Sequence, residues 1–318
     1  MASSSSLSER IDSVKNVKQI TRAMEMVAAA RLRRAEQRIE ALRPYADALR
    51  RMTRRAVEGA QSLPDIPLLE EHDSIDRVGL LLVTGDRGLA GAFNSQIIRA
   101  GERRARELRG EGLEPRWYVI GAKGAASLGF RGYELDGTYS GFTDRPAYAN
   151  AREVGQHIVS TYTEENVDRA EMFYNGYISP MSQIVRHETL LPLQQADFLG
   201  GDDDEEEDGD ESDEGGEGTG GKGGEEGPDH SRALWIYEPE PGEILRQLAP
   251  DYVEISIYRA MLESTASEHG ARMTAMRSAS DNADEMIDDL TMQANRERQA
   301  AITQEIMEVV SGAEATTG

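Results

Sequence analysis

Apolar residues near the start of the chain fall at Leu7, Ile11, Val14, Val17, Ile20, Met24, Val27, Leu32, Ala35, Ile39, Leu42, Leu49, Met52 and Ala56, mostly three or four positions apart. That spacing returns to one side of a 3.6-residue helix and predicts a long helix with an apolar seam. Ser6 followed by Glu9 has the form of a capping box, in which two side chains satisfy amide donors left free at a helix N-terminus. Gly59 and the Pro64 to Pro67 region predict its end. Pro44 removes a ladder hydrogen bond and predicts a bend rather than a break, because the periodicity resumes at Leu49 and Met52.

A second seam follows Pro250, with Asp251 as the candidate cap and Glu254 at the box position. It runs through Val253, Ile257, Met261, Thr265, Met273, Met276, Ala283, Ile287, Leu290, Ala294, Ile302, Ile306 and Val309, without a proline, to about Ser311. At 1.5 Å per residue the two helices extend roughly 80 and 90 Å, too long to fold inside a compact globule of this size. Residues 10–55 carry thirteen bases and five acids, and residues 250–310 carry five bases and twelve acids. Opposite charge beside two apolar seams predicts an antiparallel coiled coil between the two ends of the chain.

Between them the pattern changes period. Residues 78–85 (VGLLLVTG) and 117–121 (WYVIG) are short apolar runs ending in turn glycines, each followed by a plausible helix, and 170–177 with 183–193 suggest a strand pair. The expected fold class is therefore mixed: a long antiparallel coiled coil of terminal helices with a small α/β domain inserted between them. The expected division is an N-terminal shaft helix over 1–60, an α/β domain over 75–240 and a C-terminal shaft helix over 250–312. Residues 200–230 are almost wholly Gly, Asp and Glu; they have little apolar surface to bury and are expected as a disordered acidic loop.

Composition sharpens this picture. Aromatics are 6% and charged residues 29%, which suits long solvated helices better than one thick core. The net charge of −23 is concentrated: residues 197–229 hold sixteen acids against Lys222 alone, so the rest of the chain is only mildly acidic. With no cysteine there is no disulfide, thiolate metal site or cysteine nucleophile. No apolar run approaches the ~18 residues of a membrane span and the N-terminus has no apolar signal core, so the expectation is a soluble chain made and kept in the cytoplasm.

Candidate chemistry is sparse. Gly85, Gly88 and Gly91 lie between a strand and a helix, where glycines allow phosphate to approach helix amides. Their spacing is not the dinucleotide fingerprint and the loop lacks the GK[ST] end of a P-loop, so a tight turn explains them better. His72, His157, His187, His230 and His269 show no ligand spacing, so neither a zinc site nor a Ser/His triad is supported. The methionines of the two seams fit adaptable packing. Arg31, Arg33, Arg34 and Arg38 lack interleaved aromatics and have an acidic helix as internal counter-charge, which argues against a nucleic-acid partner. No cofactor is expected.

Three segments together resemble the gamma subunit of F-type ATP synthases: residues 10–46 (RIDSVKNVKQITRAMEMVAAARLRRAEQRIEALRPYA), 84–94 (TGDRGLAGAFN), and 252–315, from YVEISIYRAMLESTASEHG to NRERQAAITQEIMEVVSGAEA. The resemblance implies a non-catalytic shaft inside a hexamer of three alpha and three beta subunits. Its α/β domain would bind the epsilon subunit and the ring of c subunits at the cytoplasmic face of the cell inner membrane. It also implies roles for single residues. Met24 matches a position meeting a moving beta loop, and Arg87 matches a charged contact to a beta subunit. Arg298 and Gln299, with Thr303 one turn on, match a polar catch on the C-terminal helix. Tyr237 and Glu238 match the foot on the c ring. Photosynthetic members carry a cysteine-bearing regulatory insert near the place of the acidic stretch; without cysteine, thiol control is excluded here and a solvated tether is expected. Two other classes stay open at this point, a non-rotary coiled-coil scaffold and a small nucleotide-binding enzyme.

Overall fold

The computed structural model of the protein describes residues 2–59, 66–194 and 241–317. Two helices dominate it: α1 spans Ala2–Gly59 and α5, the last element, spans Pro241–Thr317. Between them lie strands β1 (Arg77–Val83), β2 (Glu114–Ile120), β3 (Gly137–Tyr139), β4 (Arg169–Ser179) and β5 (Ser182–Leu191). They alternate with α2 (Phe93–Gly110), α3 (Ala122–Phe130) and α4 (Tyr148–Thr163), and a 3-10 turn at Pro67–Leu69 precedes β1. The acidic stretch 200–230, together with Tyr237 and Glu238, lies outside the described residues.

Both long helices begin earlier than the capping motifs predict. Helix α1 is already formed at Ala2, so Ser6 and Glu9 lie within it rather than at its start; serine's helix propensity is only modestly below alanine's. Helix α5 begins at Pro241 with Glu243 in its first turn, where a missing proline N–H costs no ladder bond. It then continues through Pro250, and Asp251 and Glu254 are interior positions. Leu245, Leu248, Ala249 and Val253 around that proline are all buried in the domain core. Tertiary packing therefore outweighs the local cost of proline in a helix.

The two helices run antiparallel. Arg277 pairs with Glu25 at 2.8 Å and Lys18 pairs with Asp284, so seven residues along α1 match seven back along α5. Further down, Leu32 and Ala35 bury against Ala266. One continuous row of buried and half-buried residues of α1 runs through Leu7, Ile11, Val14, Lys18, Thr21, Glu25, Ala28, Leu32, Ala35, Ile39, Leu42, Ala46, Leu49, Thr53 and Ala56. That is an unbroken alternation of four and three, the heptad spacing of coiled coils. Upper α5 answers with Met276, Ser280, Ala283, Ile287, Leu290 and Ala294. The sequence-based seam differs in some of its large residues: Val17, Ile20, Val27 and Met52 are exposed, and Lys18, Thr21, Glu25, Ala28 and Thr53 take seam positions near them.

The sheet order is β3-β2-β1-β4-β5, parallel except for the antiparallel β4-β5 pair. Successive side chains of a strand point to opposite faces. Val78, Leu80 and Leu82 of β1, with Trp117 and Val119 of β2, pack with Ile97, Ala105 and Leu108 of α2 and Leu128 of α3. Leu81, Val83, Tyr118 and Ile120 pack on the other face with Val154 and Ile158 of α4 and Val253, Ile257 and Met261 of α5. Burial on both faces is why these strands read as continuous apolar runs. The lower part of α5 is thus both half of the shaft and one layer of the head domain.

Candidate functional site

In an open parallel sheet the usual ligand crevice lies beyond the carboxyl ends of the strands, where the strand order reverses. Here that is beyond β1, between β2 and β4, and the Gly85–Gly91 turn sits there. The crevice is filled by α5. Thr265 Oγ1 donates to the Thr143 carbonyl at 2.9 Å, Ser267 Oγ donates to the Asn175 carbonyl at 3.0 Å, and Arg272 Nη2 donates to the Gly88 carbonyl at 3.2 Å. The space left among Val83, Thr84, Ile120, Thr143, Met261, Ser264, Thr265 and Glu268 is about 10 Å³. A small-molecule pocket needs some 300 Å³ or more. This space admits at most a water, and the nucleotide-binding reading has no room at the place the glycines suggest.

The loop itself is built around two side chains. Asp86 Oδ2 accepts from the Gly141 amide at 2.8 Å, from the Thr143 amide at 3.1 Å and from Thr143 Oγ1 at 2.9 Å, while Oδ1 accepts from the Ala122 amide at 2.9 Å, at the first turn of α3. Burial alone raises the Asp86 carboxyl, but these donors outweigh it and hold the group below the ordinary aspartate value. Asn94 closes the turn, accepting the Gly85 amide at 2.8 Å and facing the Arg87 carbonyl at 3.4 Å. A Cβ on Gly85 would lie 2.8 Å from Glu268 Oε2, and Gly91 has a φ of +55°. Two of the three glycines are therefore explained by a close approach and a left-handed turn.

Beneath the loop, Glu268, His269 and Arg272 of α5 are buried at 3%, 1% and 8% exposure. Arg272 pairs with Glu268 at 2.5 Å, one helical turn away. Burial raises the Glu268 carboxyl despite that arginine, and burial pushes the His269 imidazole down to about 4, so it is neutral near pH 7. Arg31 of α1 pairs with Asp144, and Tyr177 of β4 donates to Glu36 of α1. Both shaft helices are thus tied to the head at one level.

The residues singled out by sequence sit at separate levels. Arg87 is exposed at the loop tip beside Leu89, which is 64% exposed with a φ of 62°. Met24 is half-buried beside the seam, with Met26 and Val27 exposed next to it. Arg298, Gln299 and Thr303 are exposed on the far end of α5, where Thr303 Oγ1 donates to the Gln299 carbonyl at 2.9 Å. From Arg272 to Arg298 is roughly 40 Å of helix. The structure does not bring Arg87 together with that distal group; they form two stations on one rod. Sequence reasoning missed Asp86, Asn94, Thr143, Glu268 and Arg272 as the fixtures of the loop. Only the spacing Glu268-Arg272, a pair one helical turn apart, offered a signal.

An α/β head clamped on an antiparallel helical shaft is the fold of the central stalk of rotary ATP synthases. A chain of the Euglena gracilis mitochondrial ATP synthase, OSCP/F1/c-ring, rotational state 3, matches with a TM-score of 0.64 at 17% identity, covering 99% of this chain and 95% of that one. The family profile described as ATP synthase matches residues 3–316. The ATP synthase gamma chain of Nostoc punctiforme is 40% identical over 325 residues, covering the whole of both chains, and that of Geobacter metallireducens is 41% identical over 318 residues with the same coverage. The chain belongs to the ATP synthase gamma-chain family. That membership sets aside both the scaffold and the nucleotide-enzyme readings and makes the chain a non-catalytic subunit of its complex.

Proposed function

We infer that this chain is the central rotor shaft of an F-type ATP synthase, carrying torque between a membrane c ring and a hexamer of three alpha and three beta subunits during proton-driven ATP synthesis. The observation that carries the reading is apolar surface along the rod that its own pairing leaves uncovered. Val17 is 50% exposed, Ile20 58% and Val27 53%, and beyond Ala294 the tip presents Ile302 at 49% and Ile306 at 57%. Exposed apolar residues clustered on one helix face favour an interaction site. An asymmetric rod in a threefold hexamer offers each beta subunit a different face. Turning it shifts each nucleotide site in turn between conformations through differential contacts.

In this reading Met24 and Arg87 meet beta subunits along the shaft, and Arg298, Gln299 and Thr303 form a polar catch near its tip. Tyr237 and Glu238 stand on the c ring, and the head domain also takes the epsilon subunit. The complex holds the chain peripherally at the cytoplasmic face of the cell inner membrane; among the described residues no helix is long and apolar enough to cross one. The test is a surface-tethered complex with a bead on the head domain. ATP should drive stepwise rotation of the bead, and a complex that hydrolyses ATP at full rate while the bead stays fixed would overturn the rotor assignment.

A further inference from the structure

We propose that Arg272 is a positioning residue that fixes the Arg87 loop to the shaft, so that the loop turns with α5 as one body. The proposal rests on Arg87 being a contact to the hexamer. Five hydrogen-bonding links hold the backbone of residues 85–88, one of them from the Lys123 amide to the Gly85 carbonyl at 3.1 Å. The Gly85 amide and the Arg87 carbonyl go to Asn94, and the Asp86 amide donates to Thr143 Oγ1 at 2.9 Å. Asn94, Thr143 and Lys123 all belong to the head. The remaining link, from Arg272 Nη2 to the Gly88 carbonyl at 3.2 Å, comes from α5 itself.

The geometry around that link suits a pin. The Arg272 guanidinium is aimed by Glu268, buried one turn earlier, and its Nη1 lies 3.4 Å from His269 Nδ1. The Glu268 carboxylate occupies the space directly under Gly85. The groups facing the pair from the other elements are Asp144, 3.7 Å from His269 Nε2, Arg31 of α1, which pairs with that aspartate, and Asp86 of the loop. Above the pin, Leu89 stands exposed in the left-handed region, which a leucine adopts only when its surroundings impose it. A preformed, strained and exposed tip held from below by a buried ion pair is the arrangement expected of a contact that must keep its shape under load.

Arg272→Lys tests this. It keeps a cation beside Glu268, but a single ammonium lacks the fork that reaches both the carboxylate and the Gly88 carbonyl. In the assembled alpha-beta-gamma complex the variant should retain its thermal midpoint. Amide exchange over residues 85–89 should rise at least tenfold, and ATP hydrolysis should fall severalfold. On an Arg87→Ala background the same substitution should have no further effect on hydrolysis. Unchanged exchange in the loop would overturn the pin. So would single effects that multiply in the double variant, which would mark Arg272 as acting elsewhere. If Arg87→Ala alone leaves hydrolysis unchanged, the contact reading of Arg87 falls, and loop exchange in Arg272→Lys still decides whether the pin exists.

Discussion

The head and the upper shaft use apolar residues in opposite ways. In β1, Val78, Leu80, Leu81, Leu82 and Val83 are all buried at 2% exposure or less, and each face of the sheet is covered by helices of the same chain. In the upper shaft, Val17, Ile20, Met26, Val27, Met286 and Met292 are each at least half exposed, while the buried seam is carried by residues such as Thr21, Ala28, Ser280 and Ala283. The head completes its core with the lower parts of both long helices. The upper shaft turns several of its larger apolar side chains outward, and its buried seam mixes small residues with Leu7, Met276 and Leu290. An element that must slide against a changing partner cannot bury its contact surface within itself, and a single residue's hydrophobicity does not say which role it has.

This contrast breaks most readily in the head. Leu82 fills the space that Gly101 leaves, its methyl lying where a Cβ on that glycine would be 2.9 Å away. Leu82→Ala should lower the stability of the full chain by about 3 kcal/mol, read as a shift in urea midpoint. A loss under about 1 kcal/mol would mean that the head core is loose. Next comes the ion cluster on β4. Glu171 takes a bidentate pair from Arg104 at 2.8 and 2.9 Å and a bond with His187 at 2.8 Å, and Arg169 lies 3.2 Å away. Burial raises this carboxyl, but His187 and Arg104 outweigh it and bring it from 4.5 to about 2. A lowered folded value stabilises the protein above the unfolded one, so the contribution is complete above about pH 5 and lost as pH falls toward 2. Glu171→Gln should cost about 2 kcal/mol at neutral pH and almost nothing at pH 2. A gap that widens on acidification would contradict the assignment.

The shaft should respond more weakly. Arg277 is 57% exposed where it pairs with Glu25 across the helices, so Arg277→Ala should cost at most about 0.5 kcal/mol, and less in high salt. At the tip, the double variant Ile302→Ser with Ile306→Ser should leave the unfolding of the free chain within about 0.5 kcal/mol of the parent. The same variant should lower the yield or the hydrolysis rate of the assembled complex. A tip variant that destabilised the free chain as much as Leu82→Ala would erase the distinction between the two regions.

The periodicity, the opposite charge of the two ends and the strand runs made the architecture legible, because an apolar stripe of period 3.6 or a doubly buried run is set by local geometry. Elements whose signals are short or carried by small residues escaped. Strand β3 has only three residues, and α4 buries Ala151, Val154, Gly155, Ile158 and Tyr162, a helical stripe diluted by alanine and glycine. The glycine turn was legible as a turn but not its reason, since Glu268 reaches Gly85 across more than 180 positions of chain.

By itself, then, the sequence determined two long helices, an α/β insert between them and the absence of cysteine chemistry, all properties of local pattern or composition. Tertiary structure alone decided which of two neighbouring stripes became the seam, that α5 passes through Pro250, and that the crevice above the sheet is closed by Thr265, Glu268 and Arg272. The physical reason is common to all three. Each outcome depends on how closely two distant backbones approach, and that distance is set by packing between elements rather than by the preferences of the residues within either one.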